Sequence, residues 1–133
     1  MIIGIGIDLC RISRIEEIIC KFGESFLDRI FAEEEREYAD KFTLLPLRSA
    51  AYAKRWAAKE ACAKALGTGF GKRVVFQDIV VIRDDLGAPS LVLKGGALAV
   101  LKEKTPQGKL GKAFLSLTDD EPFAMAQVIL EAY

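Results

Sequence analysis

Apolar residues in the first quarter of the chain form a continuous run and then a helical stripe. Residues 2–7 are isoleucine and glycine only, and the run stops at Asp8. This pattern predicts a buried strand with a carboxylate at its carboxyl end. Ser13 and Glu16 then have the spacing of a capping box, and the isoleucines that follow recur at helical intervals. We therefore expect a helix over 13–22.

The next third of the chain has a helical pattern with one long uninterrupted segment. Two shorter helices are expected over 25–31 and 33–41. Pro46 is suited to the first turn of a helix, and the alanine-rich segment behind it continues to Leu66. Gly67 provides a natural left-handed stop. The prediction is a single helix of about five to six turns.

The second half favours strands, because β-branched and apolar residues alternate there with turn residues. Strands are expected over 74–76, 79–82, 91–93, 113–118 and 123–130, with a short helix over 95–104. No repeat, low-complexity segment or linker divides the chain, so a single domain over 1–133 is expected. The order of elements predicts an α+β fold, in which one long helix packs on a mainly antiparallel sheet.

Composition limits the location and the partners of the protein. Hydrophobic residues make up 51% of the chain and charged residues 29%, and no apolar run reaches the length of a membrane span, which predicts a soluble protein without a membrane partner. The formal net charge of zero offers no bulk attraction for nucleic acid. The amino terminus lacks the features of a signal peptide. Cys10, Cys20 and Cys62 show no metal or disulfide spacing, so reduced thiols and a cytoplasmic location are expected.

The chain contains no histidine, and this narrows the possible chemistry. A Ser-His-Asp triad, a Cys-His pair and a histidine-ligated zinc are all excluded. An enzyme of this composition must work with carboxylates, lysines, arginines, hydroxyls or a hard metal ion.

Glu60 and Lys64 lie four residues apart on the long helix and therefore share a face. They could form an ordinary surface salt bridge, or they could bind a metal ion and an anionic ligand. The alanines around them cover little surface, so a second backbone or a ligand can come close. Gly67 and Gly69 follow directly and do not match a phosphate-binding loop. They are better interpreted as a helix cap whose open backbone admits a ligand.

Asp8 has two interpretations of the same kind. It can cap the turn that follows the strand, or it can be a metal or phosphate-site ligand beside Gly4 and Gly6. Together with Glu60 it would offer two hard oxygen donors, a set that suits Mg²⁺. Arg14 and Arg29 give the first helices a basic flank, which either receives an acidic partner or is an ordinary solvated face.

Seven segments in order along the chain carry a resemblance to a known family. They are Gly4–Leu9, Arg14–Ile15, Phe26–Phe31, Arg55–Ala61, Lys64–Gly69, Gly87–Pro89 and Ser116–Thr118. Over nearly its whole length the chain resembles the holo-[acyl-carrier-protein] synthases, the small bacterial type of 4′-phosphopantetheinyl transferase. The resemblance implies Mg²⁺-dependent transfer of phosphopantetheine from coenzyme A to a serine of apo acyl carrier protein, which supports fatty acid biosynthesis. It also implies a homotrimer with active sites between subunits.

The resemblance assigns roles to individual residues. Asp8 and Glu60 are expected to bind the metal, and with Lys64 they form the expected catalytic set. The residues expected to contact coenzyme A are Arg55, Lys64, Gly67, Gly69, Pro89, Ser116 and Thr118. Arg14 and Arg29 are expected to dock the carrier protein. Ala113 and Asp119 stand where many relatives carry histidine, so no general base is assigned.

Two other classes of function compete with the transferase. One is a non-catalytic module that binds carrier protein or nucleotide, and the other is a metal-dependent phosphohydrolase. The presence of Asp8, Glu60 and Lys64 together favours an enzyme, because a binding module does not need both carboxylates.

Overall fold

The computed structural model describes all 133 residues of the chain. The helices are α1 (Ile12–Phe22), α2 (Glu24–Ile30), α3 (Glu33–Asp40), α4 (Leu45–Leu66) and α5 (Gly95–Lys104). The strands are β1 (Ile2–Arg11), β2 (Ile79–Arg83), β3 (Pro89–Leu93), β4 (Gly111–Asp120) and β5 (Phe123–Ala132). The predicted α+β class is confirmed, and most boundaries agree with the sequence pattern within two residues.

The strands form two antiparallel sheets. Three strands pair in the order β1-β5-β4, and β2 pairs with β3 in a separate hairpin. The predicted hairpin of the last two strands is confirmed. Its turn is shorter than expected, because the ladder between β4 and β5 continues to Asp120 and Phe123.

Helix α4 lies across the inner face of the three-stranded sheet, and most of its residues are buried. Its other side packs against α3 and β2. Contact on two sides explains its composition, because alanine allows both neighbours to approach the helix axis closely. Gly67 ends the helix with φ of 82°, the predicted left-handed cap.

Strand β1 is longer than the sequence predicts. It continues to Arg11 because its ladder with β5 extends to the pair Arg11 and Phe123. Asp8 therefore lies inside the strand, opposite Ala126, and the expectation that it stands at the carboxyl end of the strand is wrong. Backbone pairing with a distant strand overrides the local signal of a charged residue in an apolar run.

Two local predictions near turns are also wrong. Helix α1 begins at Ile12, so Ser13 lies inside the helix, and no side chain caps this helix. The segment 74–76 is not a strand, because Phe76–Asp78 form a 3₁₀ turn that leads into β2. The Asp78 carboxylate fixes this turn by accepting a hydrogen bond from the Val75 backbone N–H.

A buried ion pair connects α3, α4 and β2. Lys59 Nζ lies 2.8 Å from Glu35 Oε1, and both side chains are fully buried. Lys59 also donates to the carbonyl oxygens of Phe76 and Ile79. The Glu35 carboxylate accepts the backbone N–H of Val81 at 2.9 Å. This network fixes the rotation of α4 about its axis, which decides which of its residues face β1.

None of the helices is both long and apolar enough to span a membrane.

Candidate functional site

The site is formed where β1 crosses α4 at very short range. Ideal Cβ atoms built on Gly4 and Gly6 would overlap the carbonyl oxygens of Ala65 and Ala61, respectively. Only glycine allows this approach, since a side chain at either position would push the strand away from the helix. Asp8 lies two residues beyond Gly6 and therefore points to the same face of the strand, towards α4.

We expect Gly6→Ala to separate β1 from α4, with losses of both stability and activity. The new Cβ atom would occupy the space of the Ala61 carbonyl oxygen. It would also lie only 2.8 Å from the backbone nitrogen of Ala65. Overpacking of this kind costs about 1–3 kcal/mol. Urea unfolding measures the loss. Gly71→Ala is the matched control, because a Cβ at Gly71 meets nothing within 4 Å. Equal stability of the two variants would contradict the close contact.

Lys64 joins the two elements at this crossing. Its Nζ donates to the Ile7 carbonyl oxygen at 2.9 Å and lies 3.1 Å from Asp8 Oδ1. Glu60 and Lys64 form no ion pair with each other, so the simple surface salt bridge is not what the chain forms. The Asp8 side chain is 16% exposed and the Lys64 side chain 54%. The ammonium group is thus accessible to a ligand at the mouth of the site.

Asp8 does not cap the following helix. The residue before α1 is Arg11, three residues later, and no side chain bonds to the free N–H groups of that helix. The capping interpretation of Asp8 is therefore excluded, and its carboxylate is available for other contacts.

The Glu60 carboxylate lies in an electrostatically unfavourable place. Burial is the largest factor that raises its pKa, and the Asp8 carboxylate raises the pKa further. The cations of Lys64 and Arg14 act in the opposite direction but do not cancel the effect. Because the Asp8 carboxylate adds to the cost of ionising Glu60, a cation between the two side chains would be stabilised.

Asp8 and Glu60 fit a hard divalent ion. Mg²⁺ takes oxygen ligands, and it commonly uses one or two carboxylates while substrate phosphates and water complete its shell. No group of three or more histidine, cysteine, aspartate or glutamate residues forms a metal cage anywhere in the chain. The pair is therefore suited to an ion that a phosphate ligand helps to hold, rather than to a structural ion.

The glycine-rich segment that leaves α4, Gly67–Gly71, follows Lys64 by less than one helical turn and has open space around its backbone. Gly67 and Gly69 have φ of 82° and 61°, and a Cβ at either position would meet no atom within 4 Å. Their N–H groups donate to the Ala63 carbonyl oxygen, so they close the helix end. What they leave for a ligand is space beside the backbone, as the sequence analysis predicts, and not free amide donors.

Arg55 does not lie at the ligand-accessible surface. It is 1% exposed, and its guanidinium stacks 4.0 Å from the centre of the Tyr38 ring. Its Nη1 donates to the Ala51 carbonyl oxygen at 3.2 Å. The expectation that Arg55 contacts coenzyme A is not supported, because this side chain fills the core between α3 and α4.

Three other predicted contacts lie apart from Asp8 in the single chain. Ser116 and Thr118 pair with Gln127 and Met125, so they point to the outer face of the sheet. Asp8 points to the inner face. Pro89 begins β3 in the separate hairpin. One chain thus brings together Asp8, Glu60, Lys64, Gly67 and Gly69, and leaves the other three at a distance.

Two features that support the site were not predicted from the sequence. One is the buried Glu35 and Lys59 pair, since both residues look like surface charges on amphipathic helices. The other is a stack in which Phe70 packs on Phe76 with centroids 3.8 Å apart, and Phe76 packs on Trp56 at 4.9 Å. The stack anchors the glycine-rich exit. A phenylalanine between Gly69 and Gly71 was the available clue, because such a segment is otherwise free to move.

Comparison with known proteins agrees with this geometry. The family model described as the 4′-phosphopantetheinyl transferase superfamily matches residues 4–125. Holo-[acyl-carrier-protein] synthase of Gluconobacter oxydans is 56% identical over 99% of this chain and 83% of its own length. The crystal structure of the Neisseria meningitidis synthase has a TM-score of 0.81 at 37% identity, over 98% of this chain and 99% of that one.

A further solved relative is described with a ligand. The Helicobacter pylori synthase, in complex with coenzyme A, has a TM-score of 0.80 at 30% identity, over 96% of this chain and 99% of that one. The resemblance drawn from the seven sequence segments is therefore confirmed. The chain belongs to the 4′-phosphopantetheinyl transferase superfamily, as a member of its holo-[acyl-carrier-protein] synthases.

Proposed function

We propose that this chain transfers the 4′-phosphopantetheine group of coenzyme A to a serine hydroxyl of apo acyl carrier protein. The products are holo acyl carrier protein and adenosine 3′,5′-bisphosphate, and the reaction serves fatty acid biosynthesis. The observation that carries the proposal is the convergence of Asp8, Glu60 and Lys64 beside the open exit of α4, in a member of this family. The solved relatives that are described with coenzyme A support the choice of donor.

The carboxylates and the lysine of the site have different proposed roles, which follow from their charges. Asp8 and Glu60 would hold Mg²⁺, which supplies Lewis-acid stabilisation of the pyrophosphate when it is bound. Lys64 can leave Asp8 and donate to a phosphate oxygen, where its charge stabilises the departing bisphosphate. Gly67 and Gly69 leave room for the donor next to that ammonium group. The anchored stack of Phe70 on Phe76 keeps this opening in place.

The proposal is tested by mass spectrometry on the purified protein with apo acyl carrier protein, coenzyme A and Mg²⁺. A phosphopantetheine adduct on the carrier serine is expected. A folded carrier that gains no adduct would refute the transferase. Consumption of coenzyme A without an adduct would support the phosphohydrolase, and binding without turnover would support a non-catalytic module.

Glu60 also gives a prediction that does not depend on activity. Its folded-state pKa is raised, so the carboxylate destabilises the fold once pH rises above the unfolded value near 4.5. Without divalent ions, Glu60→Gln should therefore have a higher Tm than wild type at pH 8, and this advantage should vanish at about pH 4. Added Mg²⁺ should raise the Tm of the wild type only.

The control for this measurement is Glu37→Gln, an exposed glutamate of α3 beyond its first turn and without an ion-pair partner, which should leave the Tm nearly unchanged at both pH values. Stabilisation of wild type and Glu60→Gln by Mg²⁺ to the same extent would count against Glu60 as a metal ligand.

We also propose that the chain assembles as a homotrimer with active sites between subunits. The support is the outer face of the three-stranded sheet, where Ile5, Ile7 and Leu9 are 61%, 52% and 59% exposed. An apolar face of this kind favours burial against another copy. Ser116 and Thr118 lie on the same outer face. In the assembly, these residues of one subunit would complete the site formed around Asp8 of the adjacent subunit. Light scattering should give three times the mass of one chain, and a monomer at assay concentration would contradict the assembly.

Carrier docking is proposed on the groove between α1 and α2, which is lined by Ile18, Phe22, Phe26 and Arg29. Arg14 lies nearby on α1, close enough to influence the pKa of Glu60. An acidic partner would be attracted by both arginines.

The three free thiols fit a reducing compartment, and we place the reaction in the cytoplasm.

Arg29→Glu should raise the KM for acyl carrier protein about tenfold through like-charge repulsion, and should leave the KM for coenzyme A unchanged. Steady-state kinetics with each substrate varied in turn measures the split. Lys104→Glu on α5 is the matched charge reversal, and it should change neither constant. An equal effect of both variants would show that overall charge, and not this groove, attracts the carrier.

A further inference from the structure

Helix α2 forms one side of the proposed docking groove, but it is too short to hold its own position. It has 7 residues, about two turns, and helices of this length are not stable in isolation. Gly23 joins it to α1 with φ of 58°, a conformation that favours glycine, and no side chain caps its first turn. The orientation in which α2 presents Phe26 and Arg29 to the groove therefore depends on residues outside the helix.

The carboxyl end of α2 is held by the side chain of Gln77, which lies in the 3₁₀ turn before β2. The Gln77 amide nitrogen donates to the Asp28 carbonyl oxygen at 2.7 Å and to the Phe31 carbonyl oxygen at 3.0 Å. The last carbonyl groups of a helix lack partners within it, and the two N–H bonds of one amide group satisfy two acceptors at this end. A residue distant in the chain thus closes the helix.

The side of α2 that faces α3 is contacted by Arg36. Its guanidinium pairs with Glu24 and Asp28, which lie one turn apart on the same face of α2. The two carboxylate side chains are 78% and 68% exposed, so these ion pairs contribute little by themselves. The half-buried amide of Gln77 is better protected from water and is the main constraint. Because a helix turns as a unit, a rotation that breaks these contacts would also displace the groove side of α2.

The turn that carries Gln77 is itself fixed on both sides. The preceding residue, Phe76, stacks on Trp56 with ring centroids 4.9 Å apart. The carboxylate of the following residue, Asp78, accepts the backbone N–H of Val75 at 3.1 Å. The amide group is therefore held in place before any carrier protein arrives, as a positioning group requires.

We propose that Gln77 is a positioning residue for recognition of the acyl carrier protein, with a smaller contribution from Arg36. Gln77 lies outside the groove and acts by fixing the orientation of α2, and with it Phe26 and Arg29. This inference rests on the proposed transferase function and on the docking groove between α1 and α2. A residue of this kind affects binding of the carrier and leaves the chemistry at Asp8 unchanged.

The test is steady-state kinetics of Gln77→Met, a substitution that keeps the length of the side chain and removes its donors. The KM for apo acyl carrier protein should rise about tenfold, because two hydrogen bonds that orient α2 are lost. The kcat and the KM for coenzyme A should stay unchanged. Arg36→Gln should raise the KM for the carrier about threefold, since its ion pairs are exposed. The matched control is Gln107→Met in the exposed loop after α5, which should change none of these constants.

Two further measurements separate positioning from a general loss of structure. In an Arg29→Ala background, Gln77→Met should raise the KM for the carrier by less than about threefold, because both changes act through the same contact. Hydrogen exchange followed by mass spectrometry should be faster over 24–31 in Gln77→Met and unchanged over α4. A merely structural role would slow or speed exchange in both segments alike.

An unchanged KM for the carrier in Gln77→Met, or equal increases with and without Arg29, would overturn the proposal. A wild-type protein that forms no adduct would refute the transferase instead, and the Kd for fluorescently labelled apo carrier would then replace KM, with the same tenfold increase expected. If the wild type does not bind the carrier, this inference fails together with the docking groove. If Gln77→Met does not fold, the KM and the exchange pattern of Arg36→Gln decide.

Discussion

Replacing Glu60 by glutamine is expected to lower kcat for phosphopantetheine transfer about 10³-fold or more. The change removes one negative charge and nearly no volume, so the close contact of β1 with α4 should survive. A metal ion contributes several kcal/mol of charge stabilisation in the transition state, and each 1.36 kcal/mol corresponds to a factor of ten in rate. Asp8 alone, already paired with Lys64, would hold the ion poorly.

The measurement is steady-state transfer to apo acyl carrier protein, followed by mass spectrometry. Because the lost interaction acts on the reacting phosphate, kcat and kcat/KM should fall together. Glu34→Gln makes the same chemical change on the exposed surface of α3 and should retain wild-type activity. If Glu60→Gln kept substantial activity while folded, the assignment of Glu60 would be wrong. Asp8→Asn should follow the same pattern, since both carboxylates are needed.

Lys59→Met is expected to lower the free energy of unfolding by about 3–5 kcal/mol. The substitution leaves the fully buried carboxylate of Glu35 without its cation, and an uncompensated buried charge is strongly destabilising. It also removes the donors to the carbonyl oxygens of Phe76 and Ile79. Domains of this size are stable by about 5–15 kcal/mol in total, so a large share of the stability would be lost.

Urea unfolding measures this loss, and Lys54→Met is the matched control. Lys54 lies on the same helix and pairs with Asp119 at 2.9 Å, but both side chains remain partly exposed. A surface pair contributes about 0–1 kcal/mol, so the control should change little. Glu35→Gln combined with Lys59→Met should cost less than the sum of the single changes, because the two groups act as one unit. Similar losses for Lys54→Met and Lys59→Met would contradict the structural role of the buried pair.

These two predictions concern Lys59 and Glu60, which are adjacent in α4 but face different surroundings. Lys59 points into the core towards α3, whereas Glu60 points towards β1 and the ligand space. The buried pair fixes the helix rotation, and the rotation presents Glu60 to Asp8. We therefore expect variants of Lys59 that still fold to lose activity as well, although this residue touches no reacting group.

The sequence by itself determined most of the elements and the residues of the proposed site. Periodic apolar runs predicted the long helix and the closing hairpin, because the spacing of apolar residues along the chain reflects which face of each element is buried. The absence of histidine limited the chemistry to carboxylates, lysines, arginines, hydroxyls or a hard metal ion. The motifs around Asp8, Glu60 and Lys64 carried the family resemblance that the comparisons confirm.

Only the tertiary structure decided how those residues are arranged. Pairing with β5 extended β1 past Asp8, and the glycines of β1 brought its carboxylate to α4. Lys64 turned out to bind Asp8 instead of Glu60, and Arg55 lies in the core. The division of Ser116 and Asp8 between opposite faces of the sheet follows from strand register. These outcomes depend on contacts between residues that are distant in the chain, and sequence spacing contains no information about such contacts.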